Sequence, residues 1–232
     1  MTTVPFRWLA LLAAIMIGGC SAKAETRPVV VELFQSQGCS SCPPANDNLA
    51  KVADRPDVIA LNFAVTYWDG QGWKDTFAQP AFTARQWGYA HGFGRGSVFT
   101  PEVVVNGRHD GVGVAPLEFA RLVGAGAGDP AGPAITLSVD KVTLGAGAKP
   151  AATADVWLVR YDPHILQVPI RGGENGGRTL PHKDIVRELV RIGAWTGAAE
   201  ALSLPVATRP DLVTVVLVQA PGGGPILAAG KG

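Results

Sequence analysis

The chain has 232 residues, a net charge of +1, 47% apolar residues and 17% charged residues. The near-neutral balance leaves no basic footprint for nucleic acid or anionic lipid, and the ample apolar content excludes a disordered chain. With 29 Gly and 18 Pro the chain is expected to be rich in strands and turns, and its length suits one large domain or two small ones.

The N-terminus places Arg7 before the apolar run Trp8 to Ile17 and a zone of small residues, the pattern of an export signal. The run is too short to span a bilayer. Two cleavage sites compete. Ala22-Lys23-Ala24 would make residues 1–24 a signal peptide, whereas Ile17-Gly18-Gly19-Cys20 resembles a lipoprotein signal that ends before Cys20. A lipid on Cys20 would then be the only tie to a membrane. Either route leaves Cys39 and Cys42 as the free sulfurs of a periplasmic or secreted protein in an oxidising compartment.

The run Val29 to Phe34 reads as a strand that leads into Gly38-Cys39-Ser40-Ser41-Cys42-Pro43-Pro44, and Asn46 to Ala53 reads as a short amphipathic helix. A strand that delivers two cysteines to a helix start is a way to expose a reactive sulfur, because the helix N-terminus favours the thiolate. Pro43 and Pro44 fit only in the first turn and push the helix start past Cys42, which weakens that effect at Cys39. Half a zinc site has the same spacing, but two cysteines cannot complete a tetrahedral site and no His lies at finger-like spacing.

Val58 to Val65 is almost wholly apolar, as expected of a parallel strand covered on both faces. An irregular aromatic segment, Tyr67 to Phe77, precedes a second helix over Phe82 to Ala90. Thr100-Pro101 stands directly before the strand Glu102 to Val105, and Asn106-Gly107 marks a hairpin turn to a partner strand between Arg108 and about Val114. A closing helix runs from Pro116 to Val123. The order β-α-β-α-β-β-α over residues 25–124 is that of an α/β, thioredoxin-like fold.

Residues 125–132 are read as a Gly-Ala linker, and residues 133–232 as a small antiparallel β module with strands over Ala134 to Val139, Ala152 to Arg160 and Val213 to Val218. Ile185 to Ile192 fits a helix by spacing and a strand by its surroundings; it is assigned as a strand. Arg171 to Arg178 lacks the signature of a phosphate loop, so a hairpin turn at Asn175-Gly176 is expected.

These residues resemble a family of secreted thioredoxin-like proteins known as domain of unknown function 1223. The resemblance rests on Gln37 to Ala45, Tyr67-Trp68-Asp69, Gly72-Trp73-Lys74-Asp75, Phe82 to Gln86, Thr100-Pro101 with Val105-Asn106-Gly107, and Arg171 to Arg178. It implies a cis bond at Thr100-Pro101, set against the cysteine pair so that the Thr100 backbone meets a substrate strand; an ordinary trans proline at the strand's first residue is the alternative. Where the family pattern has His and Asp before the Tyr-Trp-Asp, this chain has Ala64-Val65-Thr66.

The candidate site is therefore Cys39 as the attacking sulfur near the surface, Cys42 as the resolving sulfur, Thr100 and Pro101 beside them, and Glu32 as a buried carboxylate that accepts a proton when Cys42 attacks. A solvent-facing Glu32 is the alternative. Trp68 and Trp73 are expected to cover the sheet edge, a substrate groove beside the cysteines being the alternative, and His91, His109, His164 and His182 show no ligand spacing. The expected activity is thiol–disulfide exchange with protein or small-molecule thiols, without a cofactor. A Cu(I) site on Cys39 and Cys42 is one alternative, and a structural disulfide in a partner-binding protein is another.

Overall fold

The structure, a computed structural model, describes residues 1, 27–128 and 132–232. Residues 2–24 of the expected leader, Cys20 among them, and residues 129–131 of the expected linker lie outside these residues. Among the described residues no helix is long and apolar enough to cross a membrane.

The first half runs β1 (Val29–Gln35), α1 (Pro43–Val52), β2 (Val58–Ala64), α2 (Pro80–Gly92), β3 (Glu102–Val105), β4 (His109–Gly111) and α3 (Pro116–Ala125). This is the order read from the sequence. β1 and β2 are parallel and in register from Val29↔Val58 to Gln35↔Ala64, and every residue in both is buried. Antiparallel β3 and β4 follow on the other side of β1. Asn106 and Gly107 take φ of 50° and 62° between β3 and β4, which is the backbone a two-residue hairpin turn requires.

Strand pleating divides the core. Val29, Val31 and Leu33 pack with Leu49 of α1 and with Phe119 and Val123 of α3. Val30 and Phe34 turn to the opposite face, against Phe82 and Tyr89 of α2. Each such fully buried large side chain contributes roughly 1.5–3 kcal/mol. α1 begins at Pro43, with Pro44 also in its first turn, where the missing N–H groups leave no intrahelical bond unmade.

The second half is all β: β5 (Ile135–Leu137), β6 (Lys141–Leu144), β7 (Ala154–Asp162), β8 (Leu166–Pro169), β9 (Thr179–His182), β10 (Ile185–Trp195), β11 (Glu200–Ser203), β12 (Val213–Gln219) and β13 (Ile226–Lys231). Four of these strands extend the first sheet. β10 meets β2 at Ile185↔Asn62, so one eight-stranded sheet runs β13-β12-β7-β10-β2-β1-β3-β4. The expected β module and the first half thus share a sheet. β11-β6-β5 and the hairpin β8–β9 form two smaller antiparallel sheets.

β10 explains its own ambiguous sequence. Its pairing with β7 slips between Val186 and Glu188 and again between Arg191 and Gly193. Each slip resets the inside–outside alternation, so apolar residues fall at helix-like intervals in an extended chain.

Candidate functional site

β1 ends at Gln35, and the chain turns through Ser36 to Cys42 before α1. Ser36 organises the turn: its carbonyl accepts from the Cys39 N–H at 3.1 Å and its hydroxyl from the Gly38 N–H at 3.1 Å. Cys39 and Cys42 form a disulfide, with Cα atoms 5.5 Å apart. Both cysteines are 0% exposed, which corrects the expectation of a surface sulfur at Cys39. Only Ser40 and Ser41 between them are exposed.

The donors available to a Cys39 thiolate are few. Pro43 and Pro44 have no N–H, and the Ala45 and Asn46 N–H groups both go to the Cys42 carbonyl at 3.1 Å. The Cys42 N–H donates to the Cys39 carbonyl at 3.2 Å, and the Ser40 N–H donates to Glu174 Oε2 at 2.9 Å. The Ser40 hydroxyl and, after it, this N–H hold the exposed Glu174 carboxyl below its ordinary value. At the sulfur itself stands the Ser41 hydroxyl, 3.3 Å from Cys39 Sγ. The first turn of α1 therefore offers little of the thiolate stabilisation that helix N-termini usually supply.

The aromatic segment braces this loop. Gln37 Oε1 accepts from Trp73 Nε1 at 2.9 Å and from the Thr76 N–H at 3.2 Å. Asp75 accepts from the Gln37 N–H at 2.7 Å with one oxygen and from the Phe77 N–H at 2.8 Å with the other. Burial pushes the Asp75 carboxyl up to about 6 despite these bonds. Trp68 lies against Gly38 and donates its indole N–H to Thr100 Oγ1 at 2.7 Å. Both tryptophans thus brace the cysteine loop, a role beyond the expected cover of a sheet edge.

Thr100-Pro101 is a cis peptide bond. The register Phe34↔Glu102 places it at the end of β1 where the cysteine loop begins. Cys39, Cys42, Thr100 and Pro101 therefore lie at one end of the strands, beyond the end of β1 and the start of β3, with Trp68 linking the Thr100 side to Gly38.

Glu32 does not join them. Pleating sends it to the α2 face, opposite α1, where it is 0% exposed and paired with Arg85 at 2.6 Å. Tyr89 donates its hydroxyl to the same carboxylate. The expected proton acceptor for Cys42 is thus a member of a buried ion pair on the far side of the sheet, and it does not face solvent either.

Polar groups the sequence did not single out stand on the Cys42 side. Asn46 Nδ2 donates to the Cys42 carbonyl at 3.2 Å, and Asn62 Nδ2 donates to Asn46 Oδ1 at 2.7 Å. Gln35 Nε2 and Asn62 Oδ1 are buried without hydrogen-bond partners among the described residues. His182 shares a small crevice with Cys42 and Asn46. Its Nδ1 is bonded to the Leu180 carbonyl at 3.1 Å, and burial lowers its imidazole to about 4. Asp184 next to it is pushed up to about 7 by burial.

The tip of the β8–β9 hairpin closes over the loop. Asn175, 0% exposed, donates its amide to the carbonyls of Gln37 and Cys39, each at 2.9 Å. Arg178 Nη1 donates to Asn175 Oδ1 at 2.6 Å and so orients that amide. The expected hairpin exists, but its tip turns at Gly173 to Gly176, where the Gly176 N–H meets the Gly173 carbonyl at 3.1 Å. Gly173 takes a φ of 68° and lies against Gly38 and Trp73, so a side chain there would be strained and crowded. The turn drives Asn175 inward. In the sequence Asn175 stood as part of the expected turn and of the Arg171 to Arg178 segment, with nothing local to send its side chain inward.

Among the described residues, one group of three metal-ligating side chains has its ligand atoms within 4.8 Å of one another: Asp162, His164 and Asp211. It includes neither cysteine, and Arg209 already pairs with both of its carboxylates.

Fold and site together define an α/β protein with a disulfide-bonded Cys-Ser-Ser-Cys where a strand meets a helix, buried under a hairpin tip. The chain belongs to the family described as protein of unknown function DUF1223, which it matches over residues 30–219. It is 30% identical to protein AGR_C_4864 from Agrobacterium tumefaciens, known from an X-ray crystal structure; the two superpose with a TM-score of 0.74 over 89% of this chain and 94% of that one. HBP35 of Porphyromonas gingivalis shares the fold at 15% identity, with a TM-score of 0.63 over 89% of this chain and 75% of that one. No curated protein matches the chain.

Proposed function

We propose that this chain is an exported, thioredoxin-like thiol–disulfide exchange protein working through Cys39 and Cys42. The observation that carries this reading is the disulfide at the β1–α1 junction, at the same end of the strands as Thr100-Pro101. A pair that closes so short a loop contributes little chain-entropy stabilisation, so stability alone is a weak reason for it.

In the reduced protein the Cys39 thiolate, hydrogen-bonded by Ser41, attacks one sulfur of a substrate disulfide. The substrate S–S bond breaks, and the released thiolate takes a proton from water. The Cys42 thiolate then attacks Cys39 Sγ in the mixed disulfide, reforms the Cys39–Cys42 bond and expels the second substrate thiolate. Two electrons pass from the pair to the substrate. Because the thiolate receives so little help from α1, the reduced state is weakly stabilised and the pair favours donating electrons.

The full burial of both cysteines favours a second reading, a structural disulfide under the β8–β9 tip. Equilibration of the purified protein against glutathione and dithiothreitol buffers, with thiol trapping, separates the two. A reversible couple at least as reducing as thioredoxin supports exchange; a pair that no physiological buffer reduces makes it structural.

A further inference from the structure

On the α2 face of the sheet, away from the cysteines, α2 and the strands β7, β10 and β12 leave a cleft of about 350 Å³. That volume lies within the range of small-molecule sites. The cleft exists because α2 presents Ala81, Ala84 and Gly88, one helical row of small residues, toward Trp157 and Leu189. Its end is fixed by close backbone contact: a Cβ on Gly223 would stand 2.2 Å from the Gly88 carbonyl carbon.

Arg85 forms the floor, 9% exposed and stacked 5.7 Å from the Trp157 ring. Four of its five N–H groups have acceptors. Nε and Nη2 bond Glu32 at 2.6 and 3.1 Å, Nη2 also bonds the Tyr89 hydroxyl at 3.0 Å, and Nη1 bonds Gln219 Oε1 at 3.1 Å. The second N–H of Nη1 has no acceptor among the described residues. Glu32 balances the charge, and the Tyr89 hydroxyl is saturated by Glu32, Arg85 and Gln219. Asp155 at the rim is paired with Arg191 at 2.6 Å.

A buried floor with one spare strong donor and no net charge, under an aromatic wall, selects its ligand by chemistry. A carboxylate would add a buried charge with no counter-ion, and a hydrocarbon would leave the donor unmet. We propose that this cleft binds an uncharged planar molecule whose carbonyl oxygen accepts from Arg85 Nη1 while its ring lies between Trp157 and the Ala84–Gly88 face of α2. The site shares no residue with the cysteine loop, so it is independent of the exchange reading.

The test is a titration of the ¹⁵N-labelled protein with benzamide, benzoate and toluene, following the Trp157 indole N–H signal assigned with W157F. Benzamide is expected to give a saturable shift, with toluene weaker by about tenfold or more for want of the hydrogen bond to a charged donor, and benzoate weaker by about tenfold or more for its uncompensated buried charge. Ala84→Leu, which fills the cleft, is expected to abolish the shift; Ala81→Leu at the mouth serves if the first variant fails to fold. Absence of a saturable benzamide shift, equal binding of all three probes, or binding retained in the filled variant overturns the proposal.

Discussion

Asn175 and Cys39 stand 136 positions apart in the chain, yet the Asn175 amide donates to the Cys39 carbonyl at 2.9 Å. With its second bond to the Gln37 carbonyl, this side chain clamps the first half of the turn that carries the disulfide. Asn175→Ala leaves the Gln37 carbonyl without its donor and takes one of two donors from the Cys39 carbonyl, which keeps the Cys42 N–H, and is expected to cost about 1–3 kcal/mol. It also frees the hairpin tip, so dithiothreitol should reduce the disulfide faster than in the parent. Urea unfolding and a timed thiol-trapping series check both. An unchanged reduction rate would mean that the tip does not limit access to the sulfurs.

Ser41 and Glu174 act on Cys39 in opposite senses. Ser41→Ala removes the hydroxyl 3.3 Å from the sulfur, and a hydrogen bond to a charged group is worth about 1.5–3 kcal/mol; the thiolate fraction falls by about tenfold or more, the more basic thiolate is the better nucleophile, and iodoacetamide should alkylate reduced Cys39 several-fold more slowly near neutral pH. Glu174→Gln removes a negative charge from the neighbouring Ser40 N–H and should speed alkylation. Shifts in the same direction for both variants would show that neither group acts through the thiolate.

Glu32→Gln leaves the Arg85 guanidinium buried without its counter-ion. Burial opposes the Arg85 charge, while Glu32 and Tyr89 hold it above its ordinary value. Breaking such a pair from one side is expected to cost about 3–5 kcal/mol in urea unfolding. The reduction potential of the cysteine pair should stay at the parent value, since Glu32 lies on the other face of the sheet. A shifted potential would reinstate Glu32 as a group serving Cys42.

Asp184 and His182 give opposite pH slopes. Asp184 has a folded-state value of about 7, against 3.8 for the free group, so between those values the folded chain holds a proton that the unfolded chain has released. Its contribution, at most about 4 kcal/mol, is present at acid pH and is lost as pH rises toward 7. Asp75, raised to about 6 by burial, adds in the same direction. Asp184→Asn keeps a residue type that tolerates its φ of 54°, and parent-minus-variant stability should fall from pH 4 to 7 and level off above. A flat difference would place the carboxylate in solvent.

His182 is lowered from 6.5 to about 4 by burial, so in that window it is the unfolded chain that binds the extra proton. Its contribution, about 3 kcal/mol at most, is absent at pH 4 and complete above 6.5. For His182→Gln, parent-minus-variant stability should rise over that range. A fall would indicate that the imidazole is charged in the folded protein.

Local patterns in the sequence determined the element order from β1 to α3, the cysteine pair at the strand–helix junction, and the Asn106-Gly107 turn. These rest on periodicity, proline geometry and cysteine spacing within a few residues. Tertiary structure decided the rest. β1 is buried on both faces, so its alternation has no polar side to tell where Glu32 points, and the docking of α1 and α2 settled it. Asn175 reaches the cysteines by a contact across more than a hundred residues, and two bulges hid the strand β10 behind helical spacing. Burial of both sulfurs, continuity of the sheet through Ile185↔Asn62, and the Arg85 cleft likewise arise only where distant segments meet, and no local sequence pattern records such meetings.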